Sequence, residues 1–191
     1  FDDVAVPPPP GAFLQAVPAM EEAMAALVTG HLAKSKRVAD LYAGCGTFAL
    51  RLAKASTVHA VEGDGPALAA LDRGFRDNSD KRLKPVTVER RDLARRPLTA
   101  QELKPYDGVV FDPARAGAEA QSREIAASTV RRVAAISCNP ETLGRDLAIL
   151  IQAGFTLKSV TPVDQFIWTP HLEAVALLER KVGKKRHWGE M

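Results

Sequence analysis

Ser137-Cys138-Asn139-Pro140 places one of the two cysteines of the chain where a β-rich run, Val133 to Ser137, hands over to a helical one. Asn139 is a favoured N-cap, Pro140 suits the first helical position, and Glu141 to Leu150 continue with helical spacing. A thiol just ahead of a helix N-terminus lies beside unpaired N–H groups whose partial positive charge favours thiolate over thiol. The expectation is a nucleophile; the alternative is a small buried hydrophobe, which most free cysteines are.

Other residue types capable of chemistry cluster near strand ends. Phe111-Asp112-Pro113-Ala114-Arg115-Ala116-Gly117 closes an earlier β-rich run, and an aspartate at the carboxyl end of a parallel strand lies on the ligand-binding edge of its sheet. Asp112 with Arg115 reads either as a turn paired with arginine or as part of the cysteine's site, and the cysteine motif one strand later on the same edge favours the site. His171 and Glu173 point the same way along an extended segment, although such residues taken singly are usually solvated. Asp40-Leu41-Tyr42-Ala43-Gly44-Cys45-Gly46-Thr47 leaves a strand and enters a helix, with glycines where the backbone must turn tightly or approach a ligand. Gly44-x-Gly46-x-x-Ala49 with Glu62 at the next strand end also fits a dinucleotide fingerprint. Asp92 ends a third strand, as a ligand acceptor or equally as a turn or helix cap.

Positioning these groups requires an alternation of strands and helices, the pattern of an α/β domain with a mostly parallel sheet. The spacing predicts a helix from Pro18 to Leu32, then strand Arg37–Tyr42, helix Thr47–Lys54, strand Thr57–Glu62, helix Gly65–Asn78 and strand Val86–Arg91. A short helix near Thr99–Lys104 follows, then strand Gly108–Asp112, helix Ala118–Thr129, strand Val133–Ser137 and helix Glu141–Gln152. Leu157–Val163 and Leu172–Leu178 leave no room between them for a crossover helix, so they are expected to pair antiparallel. Residues 1–17 read as an N-terminal segment, 18–181 as one domain and 182–191 as a basic tail.

The 191 residues suffice for one well-buried domain, and 46% hydrophobic with 26% charged is ordinary for a globular protein. Cys45 and Cys138 alone make neither a disulfide framework nor a four-cysteine metal site, and no metal site is expected; a reducing cytoplasm fits. No apolar run reaches membrane-spanning length and no signal peptide opens the chain. It begins at Phe1 and passes at once through Pro7 to Pro10, as a piece of something longer would. A net charge of +3 allows a nucleic-acid partner without requiring one.

Asp40 ahead of the glycine loop and the terminal antiparallel pair resemble the class I S-adenosylmethionine-dependent methyltransferases, with their Rossmann-like α/β fold. Taken with Phe13-Leu14-Gln15, Asp112-Pro113-x-Arg115, Ser137-Cys138-Asn139-Pro140 with Thr142 and Arg145-Asp146, and His171-Leu172-Glu173, the chain resembles the RNA uracil-5 methyltransferases, which make 5-methyluridine in tRNA and 23S rRNA. The matches run in the family's order over nearly the whole length. Val17, Ala43, Thr47, Ala114 and Ile167 depart from its usual residues without removing a reactive group. The resemblance implies S-adenosylmethionine held by Gln15, Tyr42, Gly44, Gly46, Thr47, Glu62, Asp92 and Asp112, with Glu62 taking the ribose hydroxyls and Asp92 the adenine amino group. It implies Cys138 as nucleophile toward carbon 6 of uracil, Glu173 as base, and Asp112 with Arg115 on the uracil edge. An RNA loop is the implied partner and a monomer the expected state, and a longer parent has room for an iron–sulfur cluster ahead of Phe1. Another class of RNA methyltransferase, or a nicotinamide-dependent oxidoreductase, is the alternative.

Overall fold

The computed structural model describes residues 1–12, 14–15, 17–164 and 172–181. In chain order these form α1 (Pro18–Leu32), β1 (Arg37–Leu41), α2 (Ala49–Leu52), β2 (Thr57–Glu62), α3 (Gly65–Asp77), β3 (Val86–Arg90) and β4 (Gly108–Phe111). They continue with α4 (Glu119–Ala127), β5 (Arg132–Ser137), α5 (Pro140–Gln152), β6 (Thr156–Val163) and β7 (Glu173–Glu179). The strands make one sheet in the order β3-β2-β1-β4-β5-β7-β6. The first five are parallel, and β7 runs antiparallel to both its neighbours.

Local sequence accounts for most of these elements. Proline occupies the first turn of α1, α3 and α5, where its missing N–H loses no helical bond, and the side chains of Asp64 and Asn139 cap α3 and α5. Successive residues of β4 face opposite sides: Val109 and Phe111 join the core beneath α4 and α5, while Val110 joins the core beneath α1 and α2. A fully buried Phe111 is worth about 2–3 kcal/mol of hydrophobic stabilisation by area alone. On the outer side, Asn78 exchanges hydrogen bonds with both backbone groups of Ala5, and Arg51 pairs with Asp2. These contacts seat the N-terminal segment on α2 and α3, and Ala12, Leu14 and Gln15 lie at the sheet's carboxyl edge.

Two expectations differ from the structure. The helix foreseen over Thr99–Lys104 is a set of turns: Glu102 bonds back to the Thr99 amide and hydroxyl, but Pro105 prevents a second helical turn. The helix foreseen from Thr47 to Lys54 contracts to Ala49–Leu52, because the preceding loop must spread over Gly44 and Gly46 at φ +54° and +97°. A side chain at Gly46 would stand 2.8 Å from Leu71 Cγ. The antiparallel pair forms as expected, with β7 seated between β5 and β6. Its Glu-Ala-Val-Ala-Leu-Leu-Glu run is mostly buried, whereas β6 is largely exposed and carries Lys158 and Pro162, which suit an edge.

Candidate active site

Five strand ends meet at one edge of the sheet. Parallel β1, β2, β4 and β5 deliver their carboxyl ends there, and β7, running the other way, starts there. Its register sets Ala174 opposite Ser137, so Glu173 arrives beside Cys138.

A cavity of about 500 Å³ opens at this edge. Ala12, Leu14 and Gln15 form one wall; Tyr42, Ala43, Gly44, Cys45 and Thr47 form its floor loop; Glu62 and Asp64 close one end. Asp112, Pro113, Arg115, Cys138 and Glu173 close the other. The structure therefore brings together Gln15, Tyr42, Gly44, Thr47, Glu62, Asp112, Arg115, Cys138 and Glu173. Gly46 lies behind the lining and serves the turn. Asp92 does not line the cavity: its carboxylate accepts the Ala94 and Arg95 amides, which is the turn-cap alternative. His171 lies outside the described residues.

Glu62 organises the floor. Its two oxygens accept the Gly44 amide at 2.9 Å and the Asp64 amide at 2.8 Å, which leaves each with a free lone pair toward a ligand. Tyr42 adopts a left-handed backbone at φ +61°, and burial pushes its phenol up to about 12. Gly44 has open space where a side chain would stand, so a ligand can approach its backbone closely.

The reacting end is crowded with negative charge. Asp112 keeps partial access to the cavity, yet burial and the neighbouring Glu173 push its carboxyl up to about 7. Burial raises Glu173 as well. These charges overturn the expected acidity of Cys138. Burial and Glu173 push the thiol above its usual range, with Asp112 adding to them, and its backbone hydrogen bond and Arg115 offset only part. Asn139 still caps α5, through its side chain to the Glu141 amide at 3.0 Å, yet burial first, and the nearby carboxyl groups after it, leave the thiol raised.

One member of this edge escaped sequence reading as a site residue. Asp40 is 1% exposed, and neither carboxylate oxygen completes a hydrogen bond; the Ala49 amide is the backbone donor turned toward it. Burial and the charges of Asp112 and Glu62 hold its carboxyl well above the usual range. Its signal was an aspartate inside an otherwise apolar strand, since a buried acid without partners is costly and rarely kept for packing.

A family model described as tRNA (uracil-5-)-methyltransferase matches residues 8–181. An uncharacterized RNA methyltransferase of Mesorhizobium japonicum is 64% identical over 94% of this chain and 43% of its own length. The chain belongs to the tRNA (uracil-5-)-methyltransferase family.

Within this family, a 23S rRNA (uracil(1939)-C(5))-methyltransferase, RlmD, of Pseudomonas fluorescens is 39% identical over 89% of this chain and 37% of its own. The Pyrococcus abyssi tRNA (uracil-54, C5)-methyltransferase, solved with S-adenosyl-L-homocysteine, superposes with a TM-score of 0.70 at 27% identity, covering 88% of this chain and 40% of that one. The chain thus spans less than half the length of these relatives. Magnesium protoporphyrin IX methyltransferase from Synechocystis shares the fold alone, with a TM-score of 0.63 at 17% identity over 85% of this chain and 82% of that one. The sheet order and the antiparallel β7 are those of a class I methyltransferase-like fold.

Proposed function

We propose that the chain is the catalytic part of an S-adenosylmethionine-dependent RNA uracil-5-methyltransferase that acts through a covalent Cys138 adduct. The observation that carries this reading is the convergence of Cys138, Glu173, Asp112 and Arg115 on the same cavity as Glu62 and Gly44.

The cavity suits the methyl donor. A cationic ligand would meet Glu62, Asp64, Asp112 and Glu173 along its lining and the unpartnered Asp40 beneath, and positive charge relieves that repulsion. Gly44 leaves room for close backbone approach, and Glu62 offers two oxygens to a pair of hydroxyls. Gln15 and Tyr42 complete the donor side. When bound, the donor supplies an electrophilic methyl group on a sulfonium.

The chain's own residues must make carbon 5 of uracil nucleophilic. Cys138 adds its sulfur to carbon 6, and the electron pair of the 5,6 double bond moves onto carbon 5 and the carbonyl at position 4, giving an enolate. Arg115 stabilises the developing oxyanion, and Asp112, in the protonated form that its raised carboxyl of about 7 keeps accessible, donates to the uracil edge. After carbon 5 is methylated, Glu173 removes its proton; the carbon–hydrogen electron pair restores the double bond and the thiolate departs. Burial raises the basicity of Glu173 for this task. Burial and Glu173 favour the thiol over the thiolate in the resting site, so the nucleophile forms only when its proton is passed on, to Glu173 as acceptor, which releases it to solvent before taking the carbon 5 proton.

The target base must leave its stack, which favours RNA loops. The relatives named for 23S rRNA and for tRNA make both the substrates to assay. Among the described residues no helix is long and apolar enough to cross a membrane. The test is methylation of 23S rRNA and tRNA transcripts read as 5-methyluridine by mass spectrometry, together with calorimetry of S-adenosylhomocysteine against NAD. Cys138→Ala should abolish turnover and leave S-adenosylhomocysteine affinity nearly unchanged. Turnover retained by Cys138→Ala refutes the covalent route, and preference for NAD refutes the donor assignment.

A further inference from the structure

Thr142, Arg145 and Asp146 do not line the cavity, yet with Asn139 they grip the segment that carries Asp112 and Arg115. Their spacing puts them on one face of α5. Asn139 Nδ2 and Thr142 Oγ1 both donate to the Arg115 carbonyl at 3.2 Å, and Arg145 Nη2 donates to the Ala116 carbonyl at 3.1 Å. Asp146 is 2% exposed; its Oδ2 accepts the Ala118 amide at 2.6 Å and its Oδ1 accepts Arg145 Nε at 2.9 Å. Between these points Gly117 sits at φ +75°, and a Cβ there would stand 2.5 Å from Arg145 Nη2 and 2.8 Å from Asp146 Oδ2. Only glycine lets the loop come this close.

The nucleophile is fastened to the same helix. Ser137 Oγ accepts the Asn139 amide at 3.0 Å and donates to the Asn139 carbonyl at 3.1 Å, which makes Cys138 the apex of a tight turn joined to the α5 cap. Cys138 and the backbone of 115–118 are therefore held to one rigid body.

We propose that this face of α5 is a clamp: Thr142, Arg145 and Asp146 are positioning residues that fix Arg115 and Asp112 relative to the Cys138 sulfur, and Gly117 is the notch that lets the clamp close. The inference rests on Cys138 as the nucleophile. It accounts for the run from Cys138 to Asp146 as one device, in which residues remote from the ligand hold the geometry to the tolerance the chemistry needs, where about 1 Å of misplacement costs roughly 10²-fold in rate.

The clamp has a signature apart from turnover. The groups facing the Cys138 thiol are Glu173 from β7, and Asp112 and Arg115 from the segment after β4, with the backbone of Cys138 itself. Arg115 is the cation that pulls the thiol down, so releasing its backbone should shift the thiol's titration upward.

The experiment measures iodoacetamide alkylation of Cys138 against pH by peptide mass spectrometry in the 191-residue chain and in Thr142→Val, Thr142→Ser and Asp146→Asn, with Cys45 in the same sample as reference. Thr142→Val and Asp146→Asn should move the Cys138 midpoint to higher pH, leave Cys45 unmoved, and lower the single-turnover methylation rate roughly 10–100-fold. Affinity for S-adenosylhomocysteine should stay within about twofold, since the donor side is built from other segments. Thr142→Ser, which restores the hydroxyl, should recover both readouts. Should Asp146→Asn fail to fold, Thr142→Val against Thr142→Ser decides, since it alters one partly exposed hydroxyl. A Cys138 profile and rate unchanged in Thr142→Val, beside an inactive Cys138→Ala, overturns the clamp alone; an active Cys138→Ala overturns the nucleophile reading instead.

Discussion

Asp112→Asn should make the ligand-free chain more stable at pH 8 and leave it nearly unchanged at about pH 3. The carboxyl is raised from its usual 3.8 to about 7 by burial and by Glu173, so the folded state binds this proton more tightly than the unfolded chain does. The stability it contributes is complete below the unfolded value and is lost as pH rises through about 7. At about 1.4 kcal/mol for each pH unit of difference, the loss has an upper bound of about 4 kcal/mol. Water reaching the group through the cavity mouth reduces this to about 1–2 kcal/mol. Asparagine has no charge to bury, so it recovers that amount at pH 8 and almost none at about pH 3, where the wild-type group is neutral in the folded and the unfolded chain alike. For a chain of this size the gain corresponds to about 3–6 °C in Tm. Thermal melts of both proteins at half-unit pH steps from about 3 to 8 would follow the difference. A stability difference that stays flat across that range would refute the argument, because only the ionisation of residue 112 makes it pH-dependent. The same variant should lose methylation, since stability and activity make opposite demands on this carboxyl.

Glu62→Ala should weaken S-adenosylhomocysteine at least tenfold in calorimetry, a loss of about 1.5–3 kcal/mol from removing a charged acceptor; it also frees the Gly44 and Asp64 amides. Unchanged affinity would show that the donor lies elsewhere. Glu173→Gln should slow turnover by about 10²–10⁴ and accumulate a methylated protein–RNA adduct on denaturing gels, one that disappears when Cys138→Ala is added. A slow Glu173→Gln enzyme with no covalent complex would reassign Glu173 to positioning and call for another base, with Asp112 or His171 the nearest candidates in the chain.

Local chemistry was legible in the sequence wherever the determinants lie a few residues apart. The α1 span and the caps of α3 and α5 follow from Pro18, Asp64-Gly65-Pro66 and Asn139-Pro140, because capping and proline geometry act within one helical turn. The placement of Asp112 and Cys138 on one edge was equally readable, since parallel strands deliver their carboxyl ends to the same side. The seating of β7 between β5 and β6 was not, because it turns on which of two β-rich runs buries both faces. That choice brings Glu173 beside Cys138, where it adds to burial in raising a thiol that the helix terminus alone was expected to lower, since a thiol responds to its surroundings in space and not to chain order. Asp92 reads in sequence equally as a ligand acceptor or a turn cap, and in the structure its Oδ1 accepts the Ala94 and Arg95 amides. The sequence by itself determined the reactive residue types and the family to which they belong; only the tertiary structure decided their protonation, the unpartnered state of Asp40 and the grip of α5 on Arg115, because each depends on distances between segments far apart in the chain.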